Sequence, residues 1–393
     1  MLSNVLFIIW IAFQTIVGLI LIFPVLSYLV FLFVKSKETE EDDQSESDYA
    51  ILVTAYKDVS NIPYLVQSLL RLNYSNYIIY IIADDCPEFE LDVDQSKVII
   101  LRPETILENQ VKSHFYAIAH FKRNHERLTI IDSDNLVNPD YLKELDKAFK
   151  SGVEAVQGVR KAKNLDTPYA CLDAANEIYY FFYDRKVLYS IGSSCMLAGS
   201  GMAFTIELFK ACLGNYQSSG AGFDKILQKE IVDRGLRIGY AEMAFVFDEK
   251  TSQPAQLVKQ RARWNNAWFR HFNFGLLLMW KGFKLMSINR FLFGFLIIRP
   301  PLFMLLGVSF FILAINFFLS PFTAIIWMIL ISIFIIGFFI ALFHSNADKR
   351  IYKSLIHIPK FIFLQILSLL KTRKANQFSV ATVHMHNKEL EKI

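Results

Sequence analysis

Long hydrophobic runs lie toward the two ends of the chain, and the middle alternates between short apolar stretches and longer amphipathic ones. Residues 5–34 are rich in Leu, Ile, Phe and Val and carry no charge. As a helix rising about 1.5 Å per residue, this run is long enough to cross the roughly 30 Å hydrocarbon core of a bilayer. It is expected to be an N-terminal transmembrane helix within residues 1–35. A cleaved signal peptide is disfavoured because no basic residue precedes the run and the run is too long.

Two further spanning helices are predicted near the other end of the chain, at residues 302–319 and 322–343. They are joined by a short uncharged turn at Ser320 and Pro321, which suits a loop on the far side of the membrane. Three helices of this kind would hold the protein firmly in a bilayer.

Three shorter apolar segments, at residues 274–280, 291–298 and 351–371, contain or adjoin basic residues and a proline. Such segments are typical of helices that lie along the membrane surface, and at least the first and the last are expected to do so. Basic residues flank the hydrophobic segments on one side, which predicts an external N-terminus with the middle and the C-terminus in the cytosol. These residues are Lys35, Lys37, Lys281, Lys284, Arg290, Lys349, Arg350 and Lys353.

The middle of the chain begins with an acidic stretch, residues 36–48, which is expected to be a solvated linker. Residues 49–270 then alternate Ile- and Val-rich runs with amphipathic ones, a pattern typical of an α/β domain with a parallel sheet. Residues 271–393 would hold the interfacial helices, two transmembrane helices and a cytosolic tail. Ligands of open parallel sheets bind at the carboxyl ends of the strands, so polar residues there are the candidates for function.

Composition supports a soluble domain joined to membrane segments. Hydrophobic residues make up 53% of the 393 residues and charged residues 20%, and the net charge is only +4. That charge is far from the basic excess of a nucleic-acid-binding protein, so no nucleic-acid partner is expected. The four cysteines form no CxxC pair and no zinc-type cluster with histidine, which fits a reducing cytosol.

Asp132 and Asp134 follow directly on the strand-like residues 128–131. Two carboxylates one residue apart at a strand end can hold a divalent cation, which would bridge a diphosphate. Acidic turns of this spacing are common, so a purely structural turn is the alternative.

Polar residues also follow the two preceding strands. Thr54 and Tyr56 end the first, and Asp84 and Asp85 end the second. Tyr56 could flank a nucleobase, while a carboxylate could accept hydrogen bonds from the N–H edge of the base or from ribose hydroxyls. Lys112 precedes a helical run and could approach a phosphate, although a solvated surface lysine is nearly as good an interpretation.

Asp224 lies at the start of a predicted amphipathic helix, where an aspartate is usually a cap. As a general base it could instead remove a proton from an acceptor hydroxyl that attacks an anomeric carbon from the face opposite the diphosphate. That geometry inverts the anomeric centre.

Gln260, Arg263 and Trp264 share one face of a predicted helix just ahead of the membrane-proximal stretch. They offer an amide, a guanidinium for phosphate and an aromatic plane for a sugar ring. Anchoring of the same helix at the lipid interface is an equally good interpretation.

Taken in order, these elements resemble the family 2 glycosyltransferases of the membrane-embedded polysaccharide-synthase type, relatives of cellulose, chitin, hyaluronan and poly-N-acetylglucosamine synthases. The resemblance covers about residues 48–270 and implies a Rossmann-like, A-type glycosyltransferase domain. The segments that carry it are VTAYKD (Val53 to Asp58), DDC (Asp84 to Cys86), DSD (Asp132 to Asp134), GFDK (Gly222 to Lys225) and QRARW (Gln260 to Trp264).

The resemblance implies roles for most of these candidates. Thr54, Tyr56 and Asp84 or Asp85 would bind the nucleotide, and Asp132 and Asp134 would hold Mg²⁺ or Mn²⁺ on the diphosphate, so that Asp132 also counts as a nucleotide-sugar-binding residue. Asp224 would be the general base. Residues for the diphosphate and acceptor would be Ser200, Gln260, Arg263 and Trp264. Lys112 remains a candidate for phosphate binding from its position alone. Here Phe223 precedes the base, where the family usually has an acid.

The implied reaction is inverting transfer of a hexose or N-acetylhexosamine from a UDP-sugar to a growing β-linked polysaccharide, at the inner face of a bacterial plasma membrane. Transfer to a lipid acceptor is the alternative, and a non-catalytic scaffold is disfavoured because the acidic residues are all present. Cellulose synthase-like enzymes enclose a pore with many helices. With three spanning helices, secretion of a polymer would need an oligomer, an export partner or rearranged interfacial helices.

Overall fold

The computed structural model describes residues 2–34, 45–214 and 222–375. Its centre is an eight-stranded mixed sheet with the strand order β3-β2-β1-β4-β7-β6-β8-β5. The strands are β1 (Tyr49–Tyr56), β2 (Tyr77–Asp84), β3 (Val98–Leu101), β4 (Arg127–Asp132), β5 (Leu136–Val137), β6 (Ala155–Ala162), β7 (Met202–Thr205) and β8 (Ile238–Asp248).

Helices surround the sheet and continue into the hydrophobic part of the chain. Those of the α/β domain are α2 (Ile62–Leu70), α3 (Gln110–Ala119), α4 (Tyr141–Phe149), α5 (Pro168–Phe181, continued by π-helical Phe182–Val187), α6 (Leu188–Ser190), α7 (Ile206–Leu213) and α8 (Phe223–Asp233). The others are α1 (Leu2–Phe31), α9 (Pro254–Lys284), α10 (Ile288–Ile298), α11 (Leu302–Leu319), α12 (Pro321–His344), α13 (Lys349–Ser354) and α14 (Ile358–Lys371).

The predicted α/β sheet is confirmed, and its parallel half explains why the strand ends coincide. β1 pairs in parallel with both β2 and β4, so that Tyr56 lies beside Asp84 and Thr54 beside Asp132. These strands are apolar along almost their whole length because helices cover both faces of the sheet. Ile51 packs into the hydrophobic cluster on one face and Leu52 into the cluster on the other.

Within the described residues, four helical segments are long and apolar enough to cross a membrane: Val5–Phe31, Leu302–Leu319, Pro321–His344 and Lys349–Lys371. The first three are the predicted spanning helices. The fourth is the segment predicted to lie on the membrane surface, and a 3₁₀ turn at Leu355–His357 divides it into α13 and α14. Its length and composition therefore make it a fourth candidate span.

Helix α9 is one continuous helix from the QRARW segment to Lys284, and the predicted domain boundary at residue 270 falls inside it. It forms a tight hairpin with α10. Gly275 and Gly294 lie at the contact, where a Cβ on either would come within 2.6 Å of the other's carbonyl oxygen. Glycine is required at both positions because the two helix backbones touch.

The acidic linker is only partly as predicted. Residues 35–44, with Lys35, Lys37 and most of the acids, lie outside the described residues. Glu46 accepts a hydrogen bond from the Ser75 amide at 2.8 Å, and Asp48 pairs with Arg123 at 2.8 Å. The prediction that these two acids are solvated is therefore wrong, because partners distant in sequence bind them to the edge of the sheet.

Candidate functional site

The Asp132-Ser133-Asp134 turn is held by Ser200, which lies in the loop just before β7. The amide of Asp132 donates to the Ser200 hydroxyl at 3.0 Å, and that hydroxyl donates to the Asn135 side chain at 2.6 Å. Ser200 is completely buried, whereas Asp132 and Asp134 are partly exposed. Ser200 thus stabilises the acidic turn through its hydroxyl. Its contact with the acceptor stays a prediction.

The two aspartates at the end of β2 have different environments. Asp84 is buried, and its two carboxylate oxygens accept hydrogen bonds from the amides of Leu107 and Glu108, both at 2.9 Å. Asp85 adopts a left-handed φ of 52° and forms an ion pair with Lys57 at 3.5 Å. Asp85 is therefore the more accessible carboxylate, while Asp84 shapes the loop before α3.

Tyr56 lies at the end of β1, beside Asp84 on β2. Its hydroxyl donates to the Glu108 carboxylate at 2.7 Å, and the Lys57 ammonium lies 5.0 Å from its ring centroid. The hydrogen bond to Glu108 raises the pKa of the Tyr56 phenol, so the hydroxyl stays protonated. Thr54 is partly exposed beside it, two residues earlier on the strand.

Helix α3 begins beside the acidic turn. The Asn109 side chain caps it by accepting from the amides of Val111 and Lys112, and the Gln110 side-chain amide lies 3.5 Å from an Asp132 carboxylate oxygen. Lys112 is exposed in the first turn. This end of the helix can bind an anion, because its backbone N–H groups carry partial positive charge.

Asp224 lies in the first turn of α8, after Gly222, whose left-handed φ of 105° begins the helix. It is not the cap residue. Its carboxylate pairs with Lys225 at 3.1 Å and its side chain is 15% exposed. The preceding Phe223 packs edge-on against the ring of His114 on α3, which joins the start of α8 to the helix that begins beside Asp132.

Helix α9 lies against the same end of α8. A Cβ at Gly222 would come within 3.7 Å of Ala267 and 3.6 Å of the His271 ring. Trp264 is two helical turns before His271 and so shares its face of α9. Trp264 is 44% exposed, and the buried Arg261 guanidinium stacks 4.2 Å from its ring centroid.

The other two residues of the QRARW face are less exposed. The Gln260 side chain accepts a hydrogen bond from the Thr251 hydroxyl at 3.2 Å. Gln260 therefore lies near the end of β8. Arg263 is partly buried, and burial lowers the pKa of its guanidinium.

A network of buried charges connects the acidic turn with α9. Arg160 and Lys250 both form ion pairs with Glu177, and both also contact Asp248, Lys250 at 2.6 Å and Arg160 at 3.8 Å. Lys163 donates to the carbonyl oxygen of Asp134 at 3.0 Å. The sequence did not lead us to predict these residues as part of the site. Asp248 and Lys250 could have been predicted because they lie at the end of a strand, β8. No local sequence pattern indicates Arg160 or Glu177.

The Asp248 carboxyl lies among other acidic groups. Burial raises its pKa, as do the nearby carboxylates of Asp134, Asp173 and Asp132, and its pKa reaches about 7 although Arg160 opposes the shift. Asp132 and Asp134 are thus among the carboxylates that concentrate negative charge here, which a divalent cation would neutralise.

The donor set also fits such a cation. The described residues contain no group of three or more His, Cys, Asp or Glu side chains arranged around one point. Asp132 and Asp134 would therefore supply two carboxylates, and the other ligands would come from a diphosphate and water. Mg²⁺ is commonly bound in proteins through one or two carboxylates with substrate phosphates.

Comparison with known proteins identifies the domain. Residues 47–267, more than half of the chain, match the family described as "Glycosyltransferase like family 2". A hyaluronan synthase of Streptococcus pyogenes is 24% identical over 242 residues, which cover 56% of this chain and 57% of the relative. The chain thus spans little more than half the length of the curated relatives that it matches.

A solved structure resembles almost the whole chain. It is the mannosyltransferase PcManGT from Pyrobaculum calidifontis in complex with GDP-Man and Mn²⁺, with a TM-score of 0.58 and 15% identity over 93% of this chain and 97% of that one. At this identity the likeness shows the fold alone. The matched residues, the mixed sheet and the long apolar helices show that this chain is a membrane protein belonging to the family 2 glycosyltransferases.

Proposed function

We propose that the protein transfers a hexose or N-acetylhexosamine, with inversion, from a UDP-sugar to a growing β-linked glycan at the cytosolic face of a bacterial inner membrane. A chain of contacts supports this proposal, because Asp132, Asp224 and Trp264 belong to elements that are joined through α3, α8 and α9. Helix α3 contacts both Asp132 and the start of α8, and α9 packs on that same end of α8.

In the proposed reaction, Asp132 and Asp134 hold Mg²⁺ or Mn²⁺ against the donor diphosphate. The cation supplies a positive charge that stabilises the departing nucleotide. Asp224 accepts the proton of the acceptor hydroxyl as that oxygen attacks the anomeric carbon. Its partial exposure at the start of α8 leaves the carboxylate available to a bound acceptor.

For the nucleotide, we assign Tyr56 to the face of the base and Asp85 to its N–H edge. Thr54 would contact the same nucleoside, and Lys112 would approach a phosphate at the start of α3. Asp84 would act indirectly, through the backbone of the loop that ends at Glu108.

For the acceptor, we assign the exposed Trp264 ring to stacking on a sugar, since aromatic planes suit the apolar faces of pyranose rings. Gln260 and Arg263 would close over the diphosphate, and Ser200 would lie near the terminal sugar. The curated relative is named as a hyaluronan synthase, which is consistent with a glycan acceptor.

A lipid acceptor is the second candidate, and an apolar groove between α9 and α14 favours it. The groove has a volume of about 330 Å³ and lies along the helix that carries Trp264. It could hold the hydrocarbon chain of a lipid whose head reaches the proposed site. Its lining includes Ala255 and Val258 on α9 and Leu364, Leu367 and Leu370 on α14.

The test is to incubate purified membranes with labelled UDP-sugars and Mg²⁺ or Mn²⁺, followed by extraction and sizing of the products. Labelled GDP-mannose belongs in the panel, because the solved relative binds GDP-Man. An aqueous product of mixed lengths supports the glycan acceptor. A single chloroform-soluble product supports the lipid acceptor, and no transfer from any UDP-sugar would contradict the proposed donor.

A further inference from the structure

Three of the four candidate spans, α1, α11 and α12, pack against one another through buried polar side chains at the end remote from the sheet. Asn316 donates to the Gln14 side-chain oxygen at 2.6 Å, and the Trp327 indole donates to the same oxygen at 3.0 Å. None of the three side chains is more than 5% exposed. In hydrocarbon, such interhelical hydrogen bonds hold helices together because the lipid offers no replacement partner.

The middle of the bundle is filled by apolar side chains from all three helices. Leu21 and Ile312 are completely buried, and Ile331 and Phe334 are 6% exposed. All four belong to one hydrophobic cluster. Close packing of this kind has few gaps larger than a water molecule, so it provides no space along the bundle axis for a sugar chain.

The catalytic domain covers the end of the bundle nearer the sheet. Tyr179, Phe182 and Tyr183 of α5 and its π-helical extension belong to the same hydrophobic cluster. The Tyr183 hydroxyl donates to the carbonyl oxygen of Gly337 on α12 at 2.7 Å. These aromatic rings close the near end of the bundle, while Glu177 on the same helix α5 pairs with Arg160 of the sheet.

From this packing we infer that the bundle anchors the enzyme without conducting its product, so that the saccharide stays on the membrane face where the donor binds. A saccharide chain loses its hydration unless polar groups line its path. The buried polar side chains of Gln14, Asn316 and Trp327 at the far level of this bundle are bonded to each other. The inference rests on the proposed transferase function. Any product that is exported must then pass through a separate transbilayer transport reaction, catalysed by another protein.

The inference can be tested with purified full-length protein reconstituted into sealed vesicles of phosphatidylethanolamine and phosphatidylglycerol. Labelled nucleotide sugar added outside reaches only outward-facing active sites. Product is then treated on ice with dilute periodate, an oxidant that does not cross the bilayer, with and without detergent. A labelled dextran trapped inside the vesicles serves as the control for sealing.

We expect the labelled product to be oxidised, at the vicinal diols of its hexoses or of its terminal N-acetylhexosamine, to the same extent with and without detergent. The trapped dextran should be oxidised only after detergent. Product that periodate oxidises only after detergent opens the vesicles would overturn the inference. This holds whether one chain or several copies formed the path across the bilayer. Total incorporation of label is measured first. Absence of all incorporation would instead count against the proposed transferase function.

Discussion

Neighbouring residues of identical chemistry have separate tasks at this site. Asp84 and Asp85 are adjacent carboxylates, but burial and two backbone hydrogen bonds occupy Asp84, while a left-handed backbone turns Asp85 toward Lys57. Sequence position identified both as strand-end acids. It could not separate their roles, because the loop that binds Asp84 begins about twenty residues later.

The pair offers a matched test. Asp84→Ala should lower the free energy of unfolding by about 1–3 kcal/mol, because it leaves two backbone donors without their acceptor. Asp85→Ala should leave stability unchanged and raise the KM for the donor. Thermal unfolding in detergent and donor saturation curves measure the two effects. Equal stability of the two variants would contradict the assignment.

His114 predicts a dependence of stability on pH. It is completely buried with neither ring nitrogen hydrogen-bonded, and burial lowers its pKa to about 3. The unfolded chain, with a histidine pKa of about 6.5, binds a proton that the folded chain does not. The contribution of His114 is thus fully present above pH 6.5 and is lost as the pH falls, by about 2 kcal/mol between pH 7 and pH 5.

Unfolding of His114→Leu and of the parent protein between pH 7 and pH 5 measures this contribution. Burial also lowers the pKa of His271 and His125, and both histidines remain in the variant. The variant should therefore lose less stability on acidification than the parent does. Identical slopes for the two proteins would show that His114 is not the group responsible.

At the scale of elements, the local sequence pattern predicts the strands and their ends. It does not predict contacts between residues that are distant in sequence. The apolar runs of β1, β2 and β4 placed Thr54, Asp84 and Asp132 at one edge of the sheet, as predicted. The continuity of α9 was missed because its basic residues were interpreted as interruptions. Lys281 in fact pairs with Asp233 on α8 at 2.7 Å. The two residues are too far apart in sequence for a local pattern to reveal the contact.

The contact between α9 and α10 gives a second matched test. Gly275→Ala places a methyl group 2.6 Å from the carbonyl oxygen of Gly294, so the helices must separate. Gly307→Ala is the control, because nothing lies within 4 Å of its added methyl group on α11. Gly275→Ala should cost about 1–3 kcal/mol of stability, the usual cost of overpacking. Equal melting temperatures would contradict the close helix contact.

At the scale of the whole molecule, ion pairs bring together charged groups that are far apart in sequence. Ion pairs link four largely buried residues of the α/β domain: Arg160, Glu177, Asp248 and Lys250. These residues come from two strands, a helix and a loop. The sequence pattern along the chain therefore could not predict that they lie together. The aspartates of the turn were predictable because they follow a strand directly.

The cation proposal makes a prediction at this scale. Asp134→Asn should remove most of the enhancement that Mn²⁺ gives to UDP binding, because one of two carboxylate ligands becomes neutral. The exposed Asp92 provides the control variant, Asp92→Asn. Isothermal titration of UDP with and without Mn²⁺ measures the enhancement. An unchanged enhancement in Asp134→Asn would remove that residue from the metal site.

We propose that Asp224 removes the acceptor proton in a site where other residues hold the donor. The rate of sugar transfer by Asp224→Asn tests this role, with donor binding measured on the same preparation. We expect a rate lower by about 10²–10⁴-fold, the usual contribution of a general base, with donor binding unchanged. A transfer rate equal to that of the parent protein would contradict the proposal.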